Sequence, residues 1–235
     1  MRRDPTTGAC MGDAMKPFVQ VAGAVCLAAL CFAGQAAAQP KGDRPIALEF
    51  GGGVSLGNKS SGTYGFEGNY AFSNKLTIFI EAGQIGNVVP KFVEGQANVI
   101  AAALGGSAEV KDKATYVDLG VKYMLTPFMT NYQPYAGFGV GVAKIAKTST
   151  FTIGGASVNE DQLLSQYGVL LGSDLAGSAN KTTVAILLGV TRSIGERLGV
   201  DLSYRYNRVF PKSDVIDQDK GINASRLQVG VFVRF

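Results

Sequence analysis

Through most of the chain, apolar residues fall at every second position. The pattern is plainest over Ile222–Phe235. There Leu227, Val229, Val231, Val233 and Phe235 are apolar, Arg226, Gln228, Gly230 and Arg234 are polar or small, and only Phe232 breaks the alternation. Period 2 marks a strand with one greasy face, and the same reading predicts seven earlier strands. Ile46–Leu56 sets Ile46, Leu48, Phe50, Val54 and Leu56 against Glu49 and Ser55, and Thr63–Phe72 sets Tyr64, Phe66, Tyr70 and Phe72 against Glu67 and Asn69. After Ser73-Asn74-Lys75, a third strand sets Leu76, Ile78, Ile80 and Ala82 against Thr77, Phe79, Glu81 and Gly83. Thr115–Leu125 sets Val117, Leu119, Val121 and Tyr123 against Tyr116, Asp118, Gly120 and Lys122. Tyr135–Lys144 opposes Ala136, Phe138, Val140 and Val142 to Gly137, Gly139 and Gly141. Thr182–Arg192 carries Val184, Ile186, Leu188 and Val190, with Leu187 out of phase. Leu198–Arg208 opposes Leu198, Val200, Leu202, Tyr204 and Tyr206 to Asp201, Ser203, Arg205 and Asn207.

The connections alternate in length. Ser73–Lys75, Thr126–Pro134 and Ser193–Arg197 are short, whereas the third-to-fourth, fifth-to-sixth and seventh-to-eighth links are long. An even number of antiparallel neighbours closes a sheet and leaves no edge, so the fold expected is an all-β, eight-stranded antiparallel barrel. Alternation also describes a soluble barrel with its greasy face inward around a ligand. Two features favour lipid on the outside. Glycines and charges share one face while the other is continuous and almost without charge. Phe72, Tyr123, Phe128, Tyr132 and Phe235 gather at the short-turn end, as an interfacial girdle would. The reading is a transmembrane β-barrel with short periplasmic turns and long extracellular loops.

Composition agrees. Met15-Lys16, the apolar run Phe18–Phe32 and Ala36-Ala37-Ala38 read as a secretory signal peptide over residues 1–38, with the barrel domain over 39–235. The polar stretch before Met15 is foreign to such a signal, so translation is expected to start at Met15. Cys10, Cys26 and Cys31 all precede Gln39, so the mature chain has no disulfide or thiol chemistry. The chain holds no histidine, and its net charge is only +4 without a basic stripe, so no nucleic-acid partner is expected. No P-loop, G-x-S-x-G or Cys/His metal cluster occurs, and no cofactor is expected.

The last strand, ending on Phe235 with Val229, Val231 and Val233 before it, resembles the assembly signal of bacterial outer-membrane barrels, which implies recognition by the barrel-assembly machinery. The whole mature chain resembles the small outer-membrane barrels of the OmpA, OmpX and porin-like superfamily. Pro134–Ala143 (PYAGFGVGVA), Asp201–Tyr206 (DLSYRY) and the terminal LQVGVFVRF carry that likeness. It implies a Gram-negative outer-membrane location, contact with membrane lipid and lipopolysaccharide, and a monomer. Unlike OmpA itself, this chain is expected to carry no peptidoglycan-binding domain. Barrel enzymes of the outer membrane resemble one another in using a histidine; this chain has none, so it is expected not to be an enzyme.

Candidate chemistry sits in two places. The inward face collects Glu49, Glu67, Glu81, Asp118 and Asp201 with Lys122, Arg205 and Arg226, charges that must pair in so narrow an interior. Gly137, Gly139 and Gly141 are expected to make room for large neighbours such as Tyr116, Phe79 or Arg205. In the long loops, Phe92, Val93, Val99, Ile100, Ala103 and Leu104 recur at helical spacing after Pro90. Asn159 with Gln162 reads as a helix-starting cap before Leu163, Leu164, Tyr167 and Leu171. Phe92, Ile100, Leu104, Leu163, Leu164 and Tyr167 are candidates for a loop pocket, or else they cap the barrel mouth. Lys59, Lys91, Lys111, Lys113, Lys144, Lys147 and Lys181 lie in loops or at their roots, as candidates to meet lipopolysaccharide phosphates or else to stand solvated. The expected role is structural or surface-interactive, with a charged, filled lumen. The alternative is a narrow porin-like channel or an OmpW-like conduit for small or apolar solutes.

Overall fold

Hydrogen-bond register alone closes the sheet. The computed structural model describes residues 45–127, 129, 131–194, 196–211 and 221–235. The predicted signal peptide over 1–38, the start at Met15 and the girdle residue Phe128 lie outside the described residues. Eight strands run antiparallel in chain order: β1 (Ile46–Leu56), β2 (Ser61–Ala71), β3 (Leu76–Ile85), β4 (Gly106–Met124), β5 (Tyr132–Ile153), β7 (Gly177–Ile194), β8 (Leu198–Val209) and β9 (Ile222–Arg234). The register of β1 against β9 joins first to last, and the Phe235 N–H donating to the Ile46 carbonyl completes the seam. A three-residue β6 (Ala156–Val158) adds to the far end of β5, beyond the point where β7 leaves it. Two helices cover the long-loop end, α1 (Lys91–Ala103) and α2 (Glu160–Tyr167). No described helix is long and apolar enough to cross a membrane.

Local chemistry sets the short turns. The Ser73 hydroxyl accepts from the Lys75 and Leu76 amides and ties β2 to β3. Asn131 takes a positive φ of 71° before β5, a left-handed conformation that Asn tolerates.

Alternation sorts the faces as expected. Phe66, Ile80, Leu119, Phe138, Ile186, Leu202 and Val229 all stand exposed on the outer surface. On β4 the outward apolar run from Val117 to Leu125 covers nine residues. At ~3.3 Å per residue and a ~40° tilt that is roughly 20–25 Å of height, the thickness of an outer-membrane hydrocarbon layer. Phe72, Tyr123 and Phe235 stand exposed at the short-turn end. A second aromatic belt marks the other edge, where Tyr64 bonds Gln84, Tyr204 bonds Ser225 and Tyr206 bonds Asn223.

Three strands run longer than the alternation predicted. β4 begins at Gly106 rather than near Thr115, β5 continues to Ile153 and β7 begins at Gly177. In these extensions the phase inverts: Val110, Ile145 and Phe151 point inward and are buried, while Lys111, Lys113 and Lys144 point outward. Above the lipid the greasy face must turn toward the protein, and a reading keyed to greasy outward positions stops there.

Candidate functional site

All eight predicted lumen charges point inward and are buried, contributed by β1, β2, β3, β4, β8 and β9. Glu67 lies between Lys122, which it meets in a short ion pair, and Arg205, whose Nη2 is 2.9 Å from its Oε2. Glu81 accepts from Arg205 Nη1 at 2.5 Å and from the Tyr116 hydroxyl at 2.7 Å, and Arg226 Nη1 lies 3.3 Å from its other edge. Arg226 also stacks over the Tyr116 ring, 4.3 Å from its centre, and donates to Asn207 at 2.8 Å. Asn207 passes the chain on by donating to Asp118, which also accepts from Thr183 at 2.6 Å. Charge-assisted bonds of this kind offset the cost of burying so many ions.

Not every acid finds a base. Asp118 is satisfied by neutral donors alone. Asp201 accepts from the Tyr135 hydroxyl at 3.0 Å, but its other oxygen is buried without a partner. Glu49 sits over Gly230, one oxygen only 2.3 Å from where a Cβ would stand, and among the described residues no base lies within ion-pair distance. Gly230 directly opposes Asp201, so two carboxyl groups flank one glycine. Among the described residues no group of three or more acids, Cys or His is placed to hold a metal.

Close approach explains several inward glycines. Gly139 and Gly120 leave room for the Phe79 ring, as expected of Gly139. Gly141 instead faces Asp118, and Gly137 faces Leu187 and Lys122. Tyr116 rests over Gly83 and Gly65 on the neighbouring strands rather than over β5. Phe232, the residue out of phase in the sequence, turns into the lumen against Gly199. Leu187, likewise out of phase, is buried with Phe79, Tyr135 and Ala185.

The lumen is closed in layers. A vestibule of about 630 Å³ opens at the short-turn end and reaches Glu49, Lys122, Tyr135 and Phe232. Above it stands the charged network. Beyond that, Ile85, Ala114, Ala143, Ile145, Val209, Ile222 and Ala224 form an apolar layer with Tyr116. A second polar group follows, where Asp112 pairs in register with Lys147, and Lys147 lies 3.6 Å from Asp174.

The outermost layer is the loop cap. Val93, Ala97 and Ala101 of α1 pack with Val110, Phe151, Val158, Leu163, Leu171 and Leu175, and Phe92, Ile100 and Leu104 border them. α2 starts on the predicted capping box, with Asn159 and Gln162 bonded reciprocally, and ends at Gly168 with φ 66°. The first turn of α1 is fastened by Glu94, which meets Lys59 at 2.8 Å and Asn58 at 2.7 Å. These bonds hold its carboxyl below the usual carboxylate range.

Four of the six loop-pocket candidates come together, and Leu164 and Tyr167 do not. Leu164 is exposed because it is turned about 100° from Leu163, the one residue of α2 buried in the cap, and Tyr167, on the Leu163 side but at the last position of α2, is exposed as well. Val99 likewise faces outward from α1 at 72% exposure. Phe92, Ile100, Leu104 and Leu163 contribute to a packed cluster, and Phe92 also borders a smaller cavity of about 350 Å³ beside Asn58 and Arg208. The basic residues divide too: Lys147 and Lys181 turn inward and are largely buried, whereas Lys111, Lys113 and Lys144 remain exposed.

Sequence reasoning missed Tyr135 and Thr183 as members of the network. Both occupy inward positions, and only the cross-barrel geometry reveals which charge each one meets.

The family model described as outer membrane protein beta-barrel domain matches residues 22–235. No curated protein matches the sequence. Solved structures with a similar fold include a major outer membrane protein from Thermus thermophilus, at 10% identity and TM-score 0.51 over 81% of this chain and 99% of that one. Neisserial surface protein A aligns at 13% identity and TM-score 0.49 over 81% and 96%. Ail, the attachment invasion locus protein of Yersinia pestis, aligns at 15% identity and TM-score 0.43 over 81% and 96%. At 10% identity the likeness to the Thermus protein is one of fold alone.

Proposed function

The chain belongs to the outer membrane protein β-barrel domain family and so to the outer membrane, and from that premise we propose a non-conducting, monomeric envelope protein that holds a loop surface outward. We propose that residues 1–38 direct its export, and that the barrel-assembly machinery reads Val229, Val231, Val233 and Phe235. The reading rests on the layered closure of the lumen: a salt-bridged network, an apolar layer and a packed cap lie in series between the vestibule and the exterior. Each layer would have to open for a solute to pass. Leu164, Tyr167 and Leu170, exposed at the loop tip, are the side chains we assign to surface interaction. A non-catalytic role goes with the absence of histidine from the sequence.

The competing reading, a narrow channel or solute conduit, draws on the vestibule at the short-turn end. Planar-bilayer recording of the refolded barrel separates the two. A folded, silent protein is the expected outcome. Discrete conductance steps altered by Glu81→Gln or Arg205→Gln would replace the non-conducting reading with a gated pore.

A further inference from the structure

We infer that the outer face of the extended β4–β5 pair is a binding ladder for the phosphates of lipid A in the outer leaflet, carried by Lys144, Lys113 and Lys111. The inference rests on the outer-membrane reading and adds a ligand to it. The register defines the ladder. Val117 and Val142 stand opposite one another as the last apolar pair on the outer surface. The next outward level pairs Thr115 with Lys144, the next Lys113 with Ala146, and the next Lys111 with Thr148. Each level adds about 5 Å of height on a strand tilted by ~40°. The ammonium groups therefore begin at the edge of the hydrocarbon and continue roughly 15 Å above it.

Independent side chains mark the same boundary. The Tyr64 hydroxyl donates to Gln84, and Gln84 donates to Thr115 at 3.2 Å, a hydrogen-bonded belt on the first polar level, beside Lys144. The alternate residues Asp112, Ala114, Ala143 and Ile145 are buried, so all three lysines point away from the barrel. Among the described residues none of the three has an ion-pair partner, whereas Lys59 is held by Glu94 and Lys147 lies by Asp174. The next outward residue of β4 is Glu109, which adjoins Lys111 alone, so Lys113 and Lys144 face one another's charge and repel unless an anion lies between them. This end of the barrel carries the long loops and so faces the outer leaflet. Lipid A carries two phosphates at opposite ends of one disaccharide, so a single headgroup can engage two of the three lysines at once, which an ordinary phospholipid with its one phosphate does not.

The test uses the full mature chain, refolded into vesicles of phosphatidylcholine alone, with phosphatidylglycerol, or with about one lipid in five replaced by lipid A. The heat-dependent gel shift gives the unfolding temperature. Lipid A is expected to raise it by about 5–10 °C over phosphatidylcholine, and by more than phosphatidylglycerol does. K111Q/K113Q/K144Q should abolish most of that gain, while K75Q/R192Q/R197Q, which removes the same charge from the exposed short-turn end, should keep it. Dephosphorylated lipid A should give no gain. An undiminished gain in the first triple variant, or an equal gain in phosphatidylglycerol, would overturn the inference. If the triple variant does not insert, the single variant K113Q and screening of the wild-type gain by salt carry the same decision. Failure to insert in phosphatidylcholine alone would instead count against the membrane-barrel reading itself.

Discussion

At the scale of single residues, the alternation identified the eight charges of the central network but could not pair them, and it missed the inward Asp112, Lys147 and Lys181 of the level above. Pairing across a barrel depends on its tilt and stagger, which bring Arg226 of β9 to Glu81 of β3 and Arg205 of β8 to Glu67 of β2. Arg226 is the centre of this arrangement, fully buried against Glu81, Tyr116 and Asn207. Arg226→Gln should lower stability by about 3–5 kcal/mol, because Glu81 keeps its charge and loses a partner. Urea midpoints of the refolded barrel measure this; a loss below ~1 kcal/mol would mean that Arg205 alone neutralises Glu81. Glu49→Gln should behave in the opposite way. With no base within ion-pair distance of Glu49 among the described residues, removing its charge is expected to leave the midpoint unchanged or raise it. A marked loss would point to an undetected counter-charge in the vestibule. Gly199→Ala places a methyl about 2.1 Å from the Phe232 ring and 2.7 Å from the Arg192 carbonyl oxygen, so a cost of roughly 1–3 kcal/mol is expected, relieved only in part by Phe232→Leu in the same chain because the backbone contact stays.

At the scale of elements, the capping box of α2 was legible, since Asn159 and Gln162 stand at the spacing a helix start needs. The extensions of β4, β5 and β7 were not. Their alternation runs in the opposite sense to that of the lipid-facing strands, and this inversion shows where lipid ends. It also explains why the loop helices belong to the fold rather than hang from it: they supply the apolar partner that the bilayer supplies below. Leu163→Ala removes a wholly buried side chain from this cap and should cost about 2–4 kcal/mol there. Because the cap unfolds above the membrane, the expected readout is faster proteolysis near α2 with an unchanged heat-dependent gel shift. A fall in the barrel's own unfolding temperature would show cap and barrel to be one cooperative unit.

At the scale of the whole molecule, two apolar regions of opposite sense meet where Asp112 sits. Below it lie the inward layer of Ile145 and Val209 and the outward lipid face; above it lies the loop cap. Asp112 is above the last lipid-facing pair of β4 and almost wholly buried, with one oxygen unpartnered. Burial pushes its carboxyl up to about 6, against the pull of Lys147 and Lys181, with Asp174 adding to the rise. The sign follows from linkage. A carboxyl raised from about 4 in the unfolded chain to about 6 in the folded one binds its proton more tightly when folded. Stability from this group is then fully present below pH ~4 and is lost as pH rises through about 6. Between pH 7 and pH 4.5 the wild type should gain on the order of 2 kcal/mol relative to Asp112→Asn, which lacks the proton equilibrium. Comparing the two removes the acid response of the lumen pairs, which both proteins share. Urea midpoints at the two pH values provide the measurement. Curves that stay parallel would mean that Lys147 and Lys181 already neutralise Asp112, and that the two regions meet across an ion cluster instead of a buried acid.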